Sequence, residues 1–319
     1  MSNLPFLKGA GKATFQDRHV TKIADCLEEW SGQQSPPIGL VGIPLSKPSI
    51  SHSGASFSPH VIRNMLQKYS TYSMEEDLDL KELPITDFGD IDMHVTDLVE
   101  CQQRIEKTVE QLTNDHKDTH WIFIGGDHSI SCPTITGLQR NKGKVGVIQF
   151  DAHHDLRNVE DGGPTNGTPF RRLLESSAIK GDHLIQIGIR DFSNAKAYSQ
   201  YGESHHVTMF SMKDVKEHPP KHMIKKCIDQ LKDEVDSIYV SVDMDVLDQA
   251  FAPGCPAIGP GGMTSDYLLE SMFLLGQEKK VEAIDIVEID PTVDFRDMTS
   301  RVAAHVILQF LKGRLVLQK

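Results

Sequence analysis

Lys144-Val145-Gly146-Val147-Ile148-Gln149-Phe150 runs directly into Asp151-Ala152-His153-His154-Asp155, and the fold follows from how that junction is read. The first half is a short apolar run rich in β-branched residues, the pattern of a strand buried on both faces. Successive strand side chains point to opposite faces. A continued strand would therefore send Asp151, His153 and Asp155 to one side and Ala152 and His154 to the other. Two carboxylates and an imidazole would meet just past a strand's C-terminal end, where open α/β sheets bind their ligands. Carboxylate and imidazole without thiolate suit a hard or borderline divalent ion such as Mn2+. For these five residues alone, a polar loop with incidental histidines is the competing reading.

Outward from this junction the same punctuation repeats. Residues 121–124 read as a strand followed by Gly125-Gly126-Asp127-His128-Ser129, then a helix to about Arg140. Residues 184–189 read as a strand ending in Arg190-Asp191, residues 238–242 as one ending in Asp243-Met244-Asp245, and residues 281–287 as one ending in Glu288-Ile289-Asp290-Pro291. Residues 38–43 (IGLVGI) form a further buried strand and 83–87 a short one. Helical spacing covers 95–112, 219–233, 265–275 and about 300–311. It also covers 59–69, with Ser58 expected as N-cap and Pro59 at the first helical position. Residues 158–169 and 251–262 are polar, glycine- or proline-rich loops. Upstream, 23–30 read as a short helix and 31–37 as a linker. Strands alternating with helices predict one mostly parallel sheet covered on both faces, a three-layer α/β/α sandwich. The expected organisation is a peripheral segment, 1–36, and one catalytic domain, 37–319.

Composition supports a globular enzyme. Apolar residues make up 39% of the 319-residue chain and charged residues 24%, enough apolar material to bury a central sheet. The net charge of −12 argues against nucleic acid or an anionic membrane as the main partner. Cys26, Cys101, Cys132, Cys227 and Cys255 are scattered, with no C-x-x-C pair, so neither a disulfide framework nor a thiolate zinc site is supported. The first nineteen residues lack an apolar signal core, and no run approaches the length of a membrane span. The expected location is the cytoplasm.

In a parallel sheet the polar strand ends lie along one edge. That edge would hold Asp127, His128, Asp151, His153, Asp155, Arg190, Asp243, Asp245 and Glu288. Asp127 alone reads best as a turn or cap residue, but so many carboxylates on one rim repel unless a cation neutralises them. The candidate metal ligands are His128, Asp151, His153, Asp155, Asp243 and Asp245. Their formal charge of about −4 matches two divalent ions. Two metals roughly 3.5–4 Å apart make a strong nucleophile from water at neutral pH and polarise the electrophile.

With Gly125-Gly126-Asp127-His128-Ser129, Asp151-Ala152-His153-His154-Asp155 and Ser241-Val242-Asp243-Met244-Asp245 in this order, the chain resembles the ureohydrolases, which include arginase, agmatinase and formimidoylglutamase. The resemblance runs from about Ile38 onward. It implies an α/β/α domain with two Mn2+ per chain bridged by hydroxide, held by the six candidate ligands. It also implies that Asp155 orients the hydroxide, that Glu288 pairs with the amidinium or guanidinium of the substrate, and that the chain forms a homo-oligomer, trimer or hexamer.

Departures from the arginase pattern narrow the substrate. Where arginases and agmatinases carry a His-Gly pair, with the histidine shuttling protons, this loop reads Thr165-Asn166-Gly167, so Asn166 stands in the shuttle position. Asp248-Gln249 replaces the usual Asp-Pro, and Leu156-Arg157-Asn158 follows the first cluster. These features resemble the formimidoylglutamase branch, which implies hydrolysis of N-formimidoyl-L-glutamate to L-glutamate and formamide by attack of hydroxide on the amidine carbon. A dicarboxylate substrate suits nearby guanidinium forks, and Arg157 and Arg190 are the candidates, with Asn166 a third expected substrate contact and Arg171 and Arg172 read as surface ion pairs. Three alternatives remain open at this point. One is an agmatinase or guanidinobutyrase-like enzyme releasing urea, and another a non-catalytic metal-binding relative. The third is a zinc amide hydrolase, which would bind one metal with fewer carboxylates.

Overall fold

The structure, a computed structural model, describes residues 17–32 and 35–319. At its centre lies a nine-stranded sheet built from β1 (Leu27–Glu29), β2 (Ile38–Gly42), β5 (Ile85–Asp90), β6 (His120–Ile124), β7 (Val145–Phe150), β8 (Leu184–Ile189), β9 (Thr208–Ser211), β10 (Ser237–Asp243) and β11 (Val281–Val287). Its order is β1-β5-β2-β6-β11-β10-β7-β8-β9, with every pairing parallel. A two-residue hairpin, β3 (Tyr72–Ser73) with β4 (Leu78–Asp79), stands apart.

Two apolar cores flank the sheet, one on each face. On one side Ile122, Ile148, Val240 and Ile284 meet α1 (Ser58–Leu66), α7 (Pro220–Leu231), α8 (Ser265–Gly276) and α9 (Met298–Gln318). On the other, Phe123, Val147 and Tyr239 meet α2 (Leu98–Asp115), α3 (Ser131–Lys142) and α4 (Pro169–Glu175). Strands covered on both faces have no solvent-facing polar side, which is why β7 and β10 read as mainly apolar runs. The three-layer α/β/α expectation holds.

Several local readings differ. The helix expected at 23–30 is a single 3-10 turn, Ile23–Cys26, followed by β1, which extends the sheet edge on β5. Part of the 31–37 linker and residues 1–16 of the peripheral segment fall outside the described residues. Ser58 is not an N-cap. The helix starts on it, Phe57 occupies the cap position, and the Ser58 hydroxyl donates to the Ile289 carbonyl at 2.7 Å. The Leu98 helix begins three residues later than its apolar spacing suggests, because Asp97 caps it by accepting from Glu100 N at 3.1 Å. Helix α4, α5 (Lys196–Ser204), β9 and α6 (Met212–Glu217) were not expected from sequence. They are short, and β9 is a half-exposed edge strand, so neither periodicity nor a long apolar run announces them.

The close approach of β2 and β6 positions the site. Gly126 follows β6, and a Cβ there would lie 1.7 Å from the Leu45 carbonyl oxygen. That carbonyl accepts from Asp127 N at 2.8 Å, while the Gly126 carbonyl accepts from Glu288 N at 3.0 Å. Any side chain at 126 must push two backbones apart. Gly126→Ala is expected to destabilise the fold by about 1–3 kcal/mol or more, read as a lower denaturation midpoint at unchanged slope. A wild-type midpoint would show that the contact tolerates a methyl group.

Candidate metal centre

Three strand ends build the site with one repeated local device. Asp127, Asp151 and Asp243 each use Oδ1 to accept the N–H two residues on: Ser129 at 3.0 Å, His153 at 2.6 Å and Asp245 at 2.8 Å. Short acidic side chains favour such turns. In Asp151 and Asp243 this fixes the second oxygen toward a common point. Oδ2 of Asp151, Asp155 and Asp243 stand 3.1, 2.9 and 3.2 Å from His128 Nδ1. A second group adjoins the first, with His153 Nδ1 3.0 Å from Asp245 Oδ2 and 3.5 Å from Asp151 Oδ1. The sets His128–Asp151–Asp243 and Asp151–His153–Asp245 each have donor atoms close enough to hold one ion, and Asp151 belongs to both.

All six expected ligands therefore converge, though not by a continued strand. β7 ends at Phe150, and Asp155 arrives through a turn that gives it a φ of 52°. A non-glycine residue in that region is strained, and such strain gathers at functional sites. His154 points away, as alternation predicts: its ring nitrogens meet Gln186 Oε1 at 2.7 Å and Ser199 Oγ at 3.0 Å.

The residues fit metal ions on two observations. His128 Nδ1 is buried and has no hydrogen-bond partner, although three carboxylate oxygens surround it. Its other nitrogen, Nε2, meets Ser241 Oγ at 2.9 Å, and Ser241 Oγ donates to Asp285 Oδ1 at 2.7 Å. Ser241 can then only accept from His128, so Nε2 carries a proton and Nδ1 is the nitrogen left for an ion once its own proton is displaced. That tautomer is a metal ligand.

Electrostatics agree. Burial, reinforced by the Asp151 charge, pushes Asp155 up to about 6. Burial with the charges of Asp245 and Asp151 pushes Asp243 well above the carboxylate range. Burial opposes a charged His128, but Asp151, Asp155 and Asp243 outweigh it and raise the imidazole well above its ordinary value. His153 is lifted to about 12, chiefly by Asp245. Lacking a cation, the site holds protons; a divalent ion would displace them.

Glu288 lies beside this centre, buried, with a φ of 61°. Its Oε1 accepts from His128 N at 2.7 Å and from Asn166 Nδ2 at 3.0 Å. Asn166 Oδ1 in turn accepts from Ile50 N at 3.0 Å, so this side chain ties the loop ahead of α1 to Glu288. Burial, with the Asp127 charge added, pushes Glu288 up to about 8. Asp127 serves the cap expected of it, but its Oδ2 is buried without a partner.

The arginines divide. Arg157 is exposed, lies 5.7 Å from the centroid of the Tyr198 ring, and has no carboxylate partner among the described residues. Arg190 is buried, and its Nη2 donates to the carbonyls of Asp245 and Leu247 at 2.5 and 3.0 Å, holding the second ligand segment from behind. Arg171 pairs with Glu175 as expected, whereas Arg172 reaches Gln102 Oε1 at 3.0 Å, an amide rather than an acid. A cavity of about 820 Å³ meets the ligand set at His153 and is also lined by Arg190, Phe192, Lys213, Lys216 and Ile258. Lys213 and Lys216 escaped the sequence reading because they lie on α6, itself unforeseen. Gln149 went unmarked too, although it donates to Asp151 Oδ2 at 2.7 Å. A polar residue inside an apolar strand was the available signal.

No helix among the described residues is long and apolar enough to cross a membrane. A formimidoylglutamase from Halalkalibacterium halodurans is 58% identical over 316 residues, covering 99% of each chain. The crystal structure of formimidoylglutamase from Bacillus subtilis superposes with a TM-score of 0.94 at 52% identity, covering 97% of this chain and 96% of that one. The Trypanosoma cruzi formiminoglutamase with Mn2+2 superposes at 0.82 with 25% identity, over 92% of this chain and 98% of that one. Residues 36–312 match the arginase family, and with the ligand geometry above, the chain belongs to that family.

Proposed function

We propose that this chain is a binuclear manganese hydrolase that converts N-formimidoyl-L-glutamate to L-glutamate and formamide, in histidine degradation. The observation that carries the reading is the pair of ligand groups sharing Asp151 around the buried, unpartnered Nδ1 of His128, with Glu288 alongside. The near-full-length identity to a formimidoylglutamase supports the substrate. His128, Asp151, Asp155 and Asp243 would hold one ion, and Asp151, His153 and Asp245 the other. When bound, two Mn2+ supply a nucleophile from water at neutral pH and polarise the amidine.

The protein's own groups do the rest. Glu288 Oε1 is taken up by His128 N and Asn166, which leaves Oε2 to accept an N–H of the amidinium. Asp155 accepts a hydrogen bond from the attacking water and orients it. As the water oxygen bonds to the amidine carbon, the carbon's bond to the glutamate nitrogen breaks and that nitrogen takes up a proton. Asn166 carries no titratable proton, so its part is positional: it fixes Glu288 and the loop at Ile50. The free fork of Arg157 binds a substrate carboxylate, and Arg190 contributes from the cavity wall with the part of its guanidinium that the backbone does not occupy. A homo-oligomer and a cytoplasmic location belong to the same proposal, supported by the family resemblance.

A substrate panel tests the reading. After Mn2+ loading to two ions per chain, formimidoylglutamate should yield formamide and glutamate, while agmatine, arginine and guanidinobutyrate should yield little urea. Urea from agmatine in preference to formamide would overturn the substrate. Asn166→Ala should lower kcat/KM by about 100-fold, the scale of a 1 Å misplacement, with metal content unchanged. An undiminished rate would remove Asn166 from Glu288 positioning. Arg157→Ala should cost about 2–4 kcal/mol in kcat/KM, roughly 30- to 1,000-fold. Arg157→Lys should restore little, because the fork is lost. Arg190→Ala should in addition lower metal content, since it frees the carbonyls of Asp245 and Leu247. Arg157→Ala at wild-type efficiency would move carboxylate recognition elsewhere, with Lys213 and Lys216 the next candidates.

A further inference from the structure

Below the ligands, the sheet carries a continuous row of polar side chains. Parallel register places Gln186 of β8 opposite Gln149 of β7, Gln149 opposite Ser241 of β10, and Ser241 opposite Asp285 of β11. All four are fully buried, and they lie on the face covered by α3. Gln149 and Ser241 each stand two residues before a ligand, Asp151 and Asp243, so the row runs one pleat beneath the metal centre. At its end is an acid in the middle of the sheet. Asp285 Oδ1 accepts from Ser241 Oγ at 2.7 Å and Val242 N at 3.3 Å, and its Oδ2 accepts from Ser131 Oγ at 2.6 Å and the Tyr239 hydroxyl at 2.7 Å. No cationic side chain pairs with it among the described residues. A buried carboxylate without a counter-ion is costly, and an apolar residue would fill the space at less expense to the fold.

We infer that Asp285 is a positioning residue for the ion held by His128, acting through Ser241. The argument follows the protons. Ser131, Tyr239 and Ser241 each have one hydroxyl proton, and all three point at Asp285. Ser241 has none left for His128 and must accept from Nε2–H, so the Nδ1 lone pair faces Asp151, Asp155 and Asp243. Without the acceptor at 285, the Ser241 hydroxyl turns round and donates to Nε2. Nε2 then no longer keeps its proton, and the one the ring retains sits on Nδ1 among three carboxylates, where it resists displacement by the ion. Asp285 thus selects the tautomer that metal binding requires. The inference rests on the reading of the centre as a Mn2+ site.

The test separates metal affinity from stability. In Asp285→Asn, a neutral amide of the same shape replaces the carboxylate, so the Ser241 hydroxyl loses its charged acceptor with little loss of packing. Free Mn2+ is followed by its electron paramagnetic resonance signal as metal-stripped protein is titrated, and the Tm of the metal-free protein is measured in parallel. Wild type should take up two ions. Asp285→Asn and Ser241→Ala should weaken one of them by about 10- to 100-fold, the usual scale for a group that orients a ligand. The metal-free Tm of Asp285→Asn should stay near or above wild type. Ser241→Thr, which keeps the hydroxyl, should restore tight binding, and Tyr239→Phe, which removes a donor on the far oxygen, should leave it intact. Wild-type constants in both Asp285→Asn and Ser241→Ala would overturn the inference, as would a lowered metal-free Tm with unchanged metal constants. If Asp285→Asn does not fold, Ser241→Ala alone decides. Failure of wild type to bind Mn2+ at all would instead overturn the reading of the centre, and the inference with it.

Discussion

Three carboxylate oxygens within 3.2 Å of one imidazole nitrogen set the constraint that the rest of the structure answers to. Like charges at that spacing cannot all stay ionised in a dry site. The protein could protonate them or accept a cation, and its covalent frame favours the cation. The Oδ1 atoms of Asp151 and Asp243 are committed to backbone N–H groups, and the Nε2 contact of His128 with Ser241 leaves Nδ1 as the nitrogen an ion can take in place of a proton. The sheet supplies the rigidity this needs. Each ligand acid follows a strand buried on both faces, and a parallel sheet sets all those ends on one rim.

That rim is held from below and behind by neighbouring polar groups. Gln149 donates to Asp151, Ser241 meets His128, and Arg190 holds the carbonyls of Asp245 and Leu247. Gln186 donates to Gln149 Oε1 at 2.6 Å, so the support extends one strand further. A buried polar group earns stability only when its partners are in place, and here the partners lead back to the ligands. The interior polarity of β7, β8, β10 and β11 is therefore understandable as part of the metal centre rather than of the core.

The sheet and the ligand set were legible in the sequence because both rest on strong local signals. Strands buried on two faces are continuous apolar runs, and the acids sit directly at their ends. What escaped detection was weak locally. β9 and α6 are short and only partly buried, so their sequence resembles loop. The 3-10 turn at Ile23 and β1 at Leu27 were taken for one short helix because β1 is three residues long and pairs only with β5. Gln149, Ser241 and Asp285 were visible as polar interruptions of apolar strands, but only register across neighbouring strands shows that they form one row. Arg190 stands at a strand end beside the cavity, and its Nη2 also turns back to the chain after β10, a direction that no feature of the sequence near residue 190 encodes.

Glu288 and Asn166 show how one metal frame can serve different substrates. The ligands all come from strand ends and leave little room for variation, whereas Asn166 lies on the loop after the first cluster and grips a second loop at Ile50. A titratable side chain at position 166 would move protons. A carboxamide there cannot, and its hydrogen bond to Glu288 Oε1 makes it a brace instead. Formamide and a glutamate amine are released from an amidine carbon that bears one hydrogen and two nitrogens, where a guanidinium bears three nitrogens. In the proposed reading the amidinium meets the Glu288 oxygen that His128 N and Asn166 leave open, and the selection of substrate would pass to the loops and to the basic wall of the cavity beside His153.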